Sequence, residues 1–241
     1  TGFDNSVNGP GNFVIKDLDE DGDLDLVVAV VDGGNVVWYA NDGSQNFGDA
    51  ININTNFVKC RDLDVVDIDE DGDLDIVALS SDAAGNEVAW FSNDGSENFT
   101  TITIEDNITT ANYFQVVDLD GDGDLDVLGV ANTGDELAWW ENTATFNLDP
   151  TWSSASIATS ADRAMDVFVA DMDNDGDLDI VSVSDNDEII AWFENDGATD
   201  PRWSKSTIDT RHDVWPSAVY SGAMDNDGDM DIVAAYYNDD T

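Results

Sequence analysis

Positive charge is almost missing from this sequence: 7 Lys and Arg stand against 54 Asp and Glu, a formal net charge of −47. A surface this acidic repels phosphate backbones, which excludes nucleic acid as a partner, and it opposes docking on anionic lipid headgroups. Cysteine is nearly missing too. Cys60 alone permits neither an internal disulfide nor a cysteine-rich zinc site, and one histidine, His212, does not make a His-based metal centre. No apolar run reaches the roughly 18–20 residues that a membrane-spanning helix needs, so no direct membrane insertion is expected. What is present is core material. Hydrophobic residues make up 41% of the chain and eight of its residues are Trp, which argues for a packed fold rather than charge-driven disorder.

The acids are periodic. Clusters read DLDEDGDLD from Asp17, DIDEDGDLD from Asp67, DLDGDGDLD from Asp118, DMDNDGDLD from Asp171 and AMDNDGDMD from Ala223, at spacings of 50, 51, 53 and 52 residues. Together these five nine-residue windows hold 26 of the 54 acidic residues, so nearly half of the negative charge sits at set places in a repeat. An apolar run, interrupted only by Ser182 in the fourth copy, follows each of the first four clusters (26–31, 76–79, 127–131, 180–183) and reads as a strand buried on both faces. Next comes an aromatic pair: Trp38-Tyr39, Trp90-Phe91, Trp139-Trp140 and Trp192-Phe193. Adjacent strand residues point to opposite faces, so these pairs read as core between neighbouring units rather than as a ligand platform. Asn-Asp-Gly at Asn41, Asn93 and Asn195 predicts a tight hairpin with two turn residues at positive φ, and Asn142-Thr143-Ala144 predicts a different turn in the third copy. An outer strand then runs from near Phe47, Phe99, Trp152 or Trp203 to Ile53, Ile104, Ile157 or Ile208.

Four short strands in about 50 residues, with no helical periodicity, predict an all-β chain of β-propeller blades. The repeats span approximately 12–54, 61–104, 112–158 and 164–209, with a partial one at 216–241. The phase of the two ends predicts about four and a half repeats belonging to a larger polypeptide.

Asp-x-Asp-x-Asp-Gly-x-x-Asp sets carboxylates at positions 1, 3, 5 and 9 of a loop, with Gly at 6 for a sharp turn and a backbone carbonyl at 7. Hard oxygens on a flexible loop suit Ca²⁺; Mg²⁺ demands a stricter octahedron and holds its waters. A merely solvated acidic turn is the competing reading, but carboxylates converging within ~5 Å repel one another unless a cation lies among them. The expected metal residues are Asp17, Asp19, Asp21, Asp23 and Asp25; Asp67, Asp69, Asp71, Asp73 and Asp75; Asp118, Asp120, Asp122, Asp124 and Asp126; Asp171, Asp173, Asp175, Asp177 and Asp179; and Asp225, Asp227, Asp229 and Asp231. Ala223 replaces the first Asp of the last cluster, so four strong Ca²⁺ sites and a weaker fifth are expected.

These loops, with the Trp-aromatic-x-Asn-Asp-Gly turns, resemble FG-GAP/VCBS-type repeats, and the resemblance covers almost the whole chain. It implies Ca²⁺-bearing propellers like those of integrin α chains, some fungal lectins and secreted bacterial proteins. It also implies a secreted or cell-surface location and a role in recognition or adhesion, with a glycan or an extracellular protein as the partner.

In such a unit the acidic loops and the Asn-Asp-Gly turns share one end of the sheet. The opposite end carries the connections at about 54–62, 105–112, 159–164 and 209–215. Four of the seven basic residues (Lys59, Arg61, Arg163, Arg211) lie in these connections with His212 and Trp215. One reading is a patch that accepts an anionic or hydroxyl-rich ligand; the other is that each Arg pairs with its neighbouring acid, Asp62, Asp162 or Asp213, and orders its own loop. No nucleophile elbow or phosphate-cradling loop is present, so the chain reads as a non-enzyme. The alternative is a propeller domain of a polysaccharide-degrading lyase or hydrolase, with His212, Glu141 and Glu194 as residues to watch.

Overall fold

The computed structural model describes residues 7–44, 46–54, 57, 59–81, 87–106, 108, 111–144, 150–210, 214–225 and 227–237. Every element is a β-strand. The first sheet is β1 (Pro10–Lys16), β2 (Asp25–Val30), β3 (Asn35–Tyr39) and β4 (Ile51–Asn54). The second is β5 (Cys60–Val66), β6 (Asp75–Ser80), β7 (Glu87–Asn93) and β8 (Phe99–Asp106). The third is β9 (Ala111–Val117), β10 (Asp126–Ala131), β11 (Glu136–Asn142) and β12 (Trp152–Ala158). The fourth is β13 (Ala164–Ala170), β14 (Asp179–Ser184), β15 (Ile189–Glu194) and β16 (Ser204–Thr210); β17 (Trp215–Gly222) and β18 (Asp231–Tyr237) form a two-stranded sheet. Strands lie side by side in sequence order, and their pairing is antiparallel. This is an all-β, propeller-like repeat fold. Among the described residues no helix is long and apolar enough to cross a membrane.

The register repeats as the sequence does. In the first, second, fourth and fifth sheets the opening strand is shifted near its start, between Pro10 and Phe13, Cys60 and Asp62, Ala164 and Asp166, and Pro216 and Ala218. The third strand of each complete sheet is shifted against the fourth, at Val36/Val37, Val88/Ala89, Leu137/Ala138 and Ile190/Ala191. Such bulges increase the local right-handed twist.

The chain divides into two compact units, Thr1–Ala111 with Ala144–Thr151, and Asn112–Thr143 with Trp152–Thr241. In the first, Val27, Ala29 and Trp38 pack on Leu63, Val65, Ile76, Ala78 and Phe91, and Phe57 meets the Phe91 ring edge-on at 5.3 Å. In the second, Leu128, Val130 and Trp139 pack on Val167, Ile180 and Phe193, while Val181 and Val183 pack on Val219 with Ile232 and Ala234. The second strand β14 is buried from end to end because one face meets the third sheet and the other meets the two-stranded sheet. The aromatic pairs behave as expected of core: Trp38, Tyr39, Trp90, Phe91, Trp139, Trp140 and Phe193 are buried, and Trp192 is half-buried.

Candidate metal centres and the variable end of the repeats

Each acidic loop joins the first and second strands of its sheet. In the first four the sharp bend comes from two residues at positive φ. Position 4 is Glu20, Glu70, Gly121 or Asn174 at φ 58, 56, 74 and 61°, and position 6 is Gly22, Gly72, Gly123, Gly176 or Gly228 at 99–106°. Nothing lies within 4 Å of where a Cβ on these position-6 glycines would sit, so glycine is required there by backbone conformation and not by crowding. Gly123→Ala is therefore expected to cost about 1–2 kcal/mol, and Gly121→Asn close to nothing, since Asn174 already holds that conformation. Urea unfolding of the two variants checks this; equal costs would refute it.

The bend gathers carboxylates. Asp17, Asp19 and Asp25 each offer an oxygen within 4.8 Å of the others, as do Asp67, Asp69 and Asp71; Asp118, Asp120 and Asp122; and Asp171, Asp173 and Asp175. Backbone N–H groups aim the first carboxylate inward: Gly22, Gly72, Gly123 and Gly176 donate to Asp17, Asp67, Asp118 and Asp171 at 3.0–3.2 Å. The other oxygen of Asp17 and of Asp118 is buried without a hydrogen-bond partner among the described residues. Orphaned carboxylate oxygens facing other carboxylates are completed by a cation, so the donor set fits a hard divalent ion held by oxygens. In the fifth loop no such group occurs among the described residues, although Asp227 and Asp229 donate their N–H groups to Asp225 and Asp227 as their counterparts do.

The remaining predicted ligands have other partners as well. Asp25, Asp75, Asp126 and Asp179, at position 9, are buried. One oxygen of each accepts from Leu18, Ile68, Leu119 or Met172 in the loop at 3.1–3.3 Å. The other accepts at 2.7–2.8 Å from Asn41, Asn93, Asn142 or Asn195 beyond the third strand. Asp231 repeats the first of these bonds with Met224. At position 7, Asp23, Asp73 and Asp177 turn away from the loop centre and lie against Gly43, Gly95 and Gly197.

The Asn-Asp-Gly segments open a wider loop than the tight two-residue hairpin that their sequence predicts. In the first two, Gly43 and Gly95 take positive φ while the Asn and Asp before them do not. The Asp42 carboxylate accepts from Ser44 and Asn46, and Asp94 accepts from Ser96 and Asn98, so each Asp closes the turn with its side chain as well as with its own N–H, which donates to the Asn46 or Asn98 carbonyl. Residues 145–149 of the third copy's turn lie outside the described residues.

Crowding shifts the carboxyls. Burial, then neighbouring Asp71 and Asp67, pushes Asp69 up to about 6; burial, then Asp122, Glu141 and Asp118, does the same to Asp120. Burial also lifts Asp75 and Asp126 to about 7, against the pull of the N–H groups they accept. The indoles of Trp90 and Trp139 oppose that rise without making a hydrogen bond of normal geometry. All four groups hold a proton more tightly folded than unfolded. In chelator they therefore favour the fold below about pH 4, and that contribution is lost as pH climbs through about 6–7. Bound cation reverses the slope, because protons compete for the same oxygens. Between pH 7.5 and 5 the urea midpoint is expected to rise on acidification in chelator and to fall in Ca²⁺; a fall in both would refute the carboxylate assignment.

At the opposite end of the first, second and fourth sheets, the residue just before the first strand faces the residue just after the second. Val31, Ser81 and Asp185 donate their N–H groups to the carbonyls of Gly9, Lys59 and Arg163 at 2.8, 3.2 and 3.2 Å. In the last sheet Trp215 and Tyr237 are the paired residues. Side chains on this rung change from repeat to repeat. Lys59 and Arg61 are exposed. Arg163 does not pair with the adjacent Asp162, which instead accepts from the Asn186 amide at 3.0 Å. Its guanidinium lies 3.2 Å from Asp185. Nor is Asp62 left for Arg61 alone, since it accepts from the Asn12 amide at 2.6 Å. Arg211, His212 and Asp213 lie outside the described residues. Asp185 and Tyr237 were not singled out in the sequence; their signal is that they occupy the variable rung positions once the repeats are aligned on their acidic loops. Of the acids considered for hydrolysis, Glu194 is exposed and Glu141 is half-buried on the acidic-loop side.

Four-stranded antiparallel repeats carrying carboxylate loops between their first two strands define a class of acidic-loop β-repeat proteins. Within it, the chain matches the FG-GAP-like repeat over residues 17–78, 67–129, 118–182 and 171–234, and it belongs to that family. No protein of curated function matches the sequence. Among solved structures, one match is an Agrocybe aegerita lectin described as specifically recognising non-reducing terminal N-acetylglucosamine. It is 19% identical with a TM-score of 0.61, and the alignment covers 92% of this chain and 60% of the lectin. A Photorhabdus luminescens Tc holotoxin pore also matches, at 15% identity and a TM-score of 0.26 over 88% of this chain and 13% of that one. The chain thus spans about 60% of the length of the lectin whose fold it shares.

Proposed function

We propose that the chain is part of a Ca²⁺-braced β-propeller that works outside the cell as a recognition or adhesion module. It binds a glycan or an extracellular protein through the sheet ends opposite the acidic loops. The observation that carries this reading is the contrast between the two ends. Loop backbone, buried Asp and aromatic pair recur from repeat to repeat, whereas the rung changes from Gly9–Val31 to Lys59–Ser81, Arg163–Asp185 and Trp215–Tyr237. A constant frame presenting changing side chains is the layout of a binding surface on a repeat scaffold. The shared fold with a lectin supports the glycan side of the reading. Millimolar Ca²⁺ outside cells would fill even loops with dissociation constants of about 10⁻⁴–10⁻³ M.

The test is an array of glycans and matrix proteins probed with the labelled chain in Ca²⁺. Binding is expected in Ca²⁺, lost in chelator, and weakened by Arg163→Glu. No binding to either class would refute the reading. New reducing ends or unsaturated sugars released from a bound polysaccharide would replace it with an enzyme.

A further inference from the structure

Two variable rungs lie together in the second unit. The first is an ion pair: Arg163 Nη1 lies 3.2 Å from Asp185 Oδ2. The second is an aromatic pair, with Trp215 and Tyr237 as cross-strand partners whose ring centroids are 5.5 Å apart and tilted by 34°. They are joined by a hydrogen bond in which the Tyr237 hydroxyl donates to Asp185 Oδ2 at 2.8 Å. Asp185 is fully buried, while the Arg163 side chain is 45% exposed and Tyr237 is 42% exposed. Asp185 Oδ1 has no hydrogen-bond partner among the described residues.

This arrangement selects against an anionic ligand. The positive charge of Arg163 already faces a carboxylate held in place by burial, and an anion would enter the field of a chain with a net charge of −47. It favours a neutral one. A guanidinium has five N–H donors, so its contact with Asp185 leaves donors for hydroxyl or amide oxygens. The adjoining Trp215 and Tyr237 rings, tilted by 34° to one another, offer apolar aromatic faces with little side-chain freedom to lose. We infer that Arg163, Trp215 and Tyr237, positioned by Asp185, form a subsite for one neutral saccharide unit, its ring against the aromatic pair and an oxygen accepting from Arg163. The inference rests on the recognition reading above and narrows it to a place and a ligand class.

The experiment is calorimetric titration of the Ca²⁺-loaded chain with chitotriose and cellotriose as neutral probes and trigalacturonate as the acidic one. At least one neutral probe is expected to bind tighter than trigalacturonate. Trp215→Ala should weaken that binding about tenfold, the scale of one aromatic contact. The double variant Arg163→Gln with Asp185→Asn removes the guanidinium donor and both charges, and should weaken neutral binding severalfold without reversing the preference for the neutral probe. Thermal unfolding of each variant separates lost binding from lost fold, and Trp215→Leu, which keeps apolar bulk without the aromatic face and should weaken binding to a similar extent, serves if Trp215→Ala does not fold. Tighter binding of trigalacturonate, abolished in the double variant, would overturn the neutral assignment while leaving glycan recognition standing. Neutral binding unchanged in a folded Trp215→Ala would overturn the location. Saccharides that fail here while matrix proteins bind on the array would overturn this inference alone; failure of both classes would remove the recognition reading as well.

Discussion

Chelating Ca²⁺ is expected to lower the thermal midpoint of this protein by more than any single substitution does. Each of four loops gathers three carboxylates within 4.8 Å, and two of them leave a buried oxygen unpartnered. Without the cation that repulsion stays in the folded state; with it, both strands flanking the loop are tied to one centre. At a free concentration of about 1,000 times the dissociation constant, one filled site contributes about 4 kcal/mol. One kcal/mol moves the midpoint of a domain of 150–250 residues by about 2–4 °C, so even one loop implies a shift of roughly 8–16 °C. Calorimetry in Ca²⁺ and in EGTA measures it, and midpoints within a degree or two of each other would eliminate the structural role. Mg²⁺ in place of Ca²⁺ is expected to restore only part of the difference, because it sheds its waters reluctantly.

Asp126→Ala should be the most damaging change within a single loop. Asp126 is fully buried and accepts from Leu119 at 3.1 Å and from Asn142 at 2.8 Å, which locks the loop to the end of β11. Removing it strands two buried N–H donors at about 1–3 kcal/mol each, giving a total of about 2–6 kcal/mol. Loss of Ca²⁺ from that loop comes in addition. Asp124→Ala, two residues earlier, keeps the backbone carbonyl at position 7 and should cost less than about 1 kcal/mol. Urea unfolding in Ca²⁺ compares them. Similar costs would show that the buried Asp is not the brace.

The Asn-Asp-Gly segments show where reading the sequence stops working. Asn-Gly-type signals normally report two turn residues with positive φ, yet Asp42 and Asp94 organise their loops through side-chain acceptance of nearby N–H groups. Within each Asn-Asp-Gly triplet the glycine alone is left-handed, and it leaves room for the position-7 carboxylate of Asp23 or Asp73 from the neighbouring loop. That approach comes from across the sheet, and no window of local sequence contains it. The aromatic pairs were legible for the opposite reason. Strand geometry alone sends Trp38 and Tyr39 to different faces, and both faces are filled.

The near-absence of positive charge, the spacing of the acids and the apolar runs by themselves determined the repeat, its strands and the carboxylate loops. All of these are written within about 50 residues and repeated, so each copy checks the next. Only the tertiary structure decided what the few basic residues do. The acid beside Arg163 in sequence is Asp162, but the acid beside it in space is Asp185, and the hydroxyl that completes the group comes from Tyr237 in the next repeat. An exposed Arg meets many acids in a chain with 54 of them. It settles on the one that burial has already stripped of water, because there the field is least screened. Burial is set by how strand ends meet across repeats, which neither composition nor spacing records.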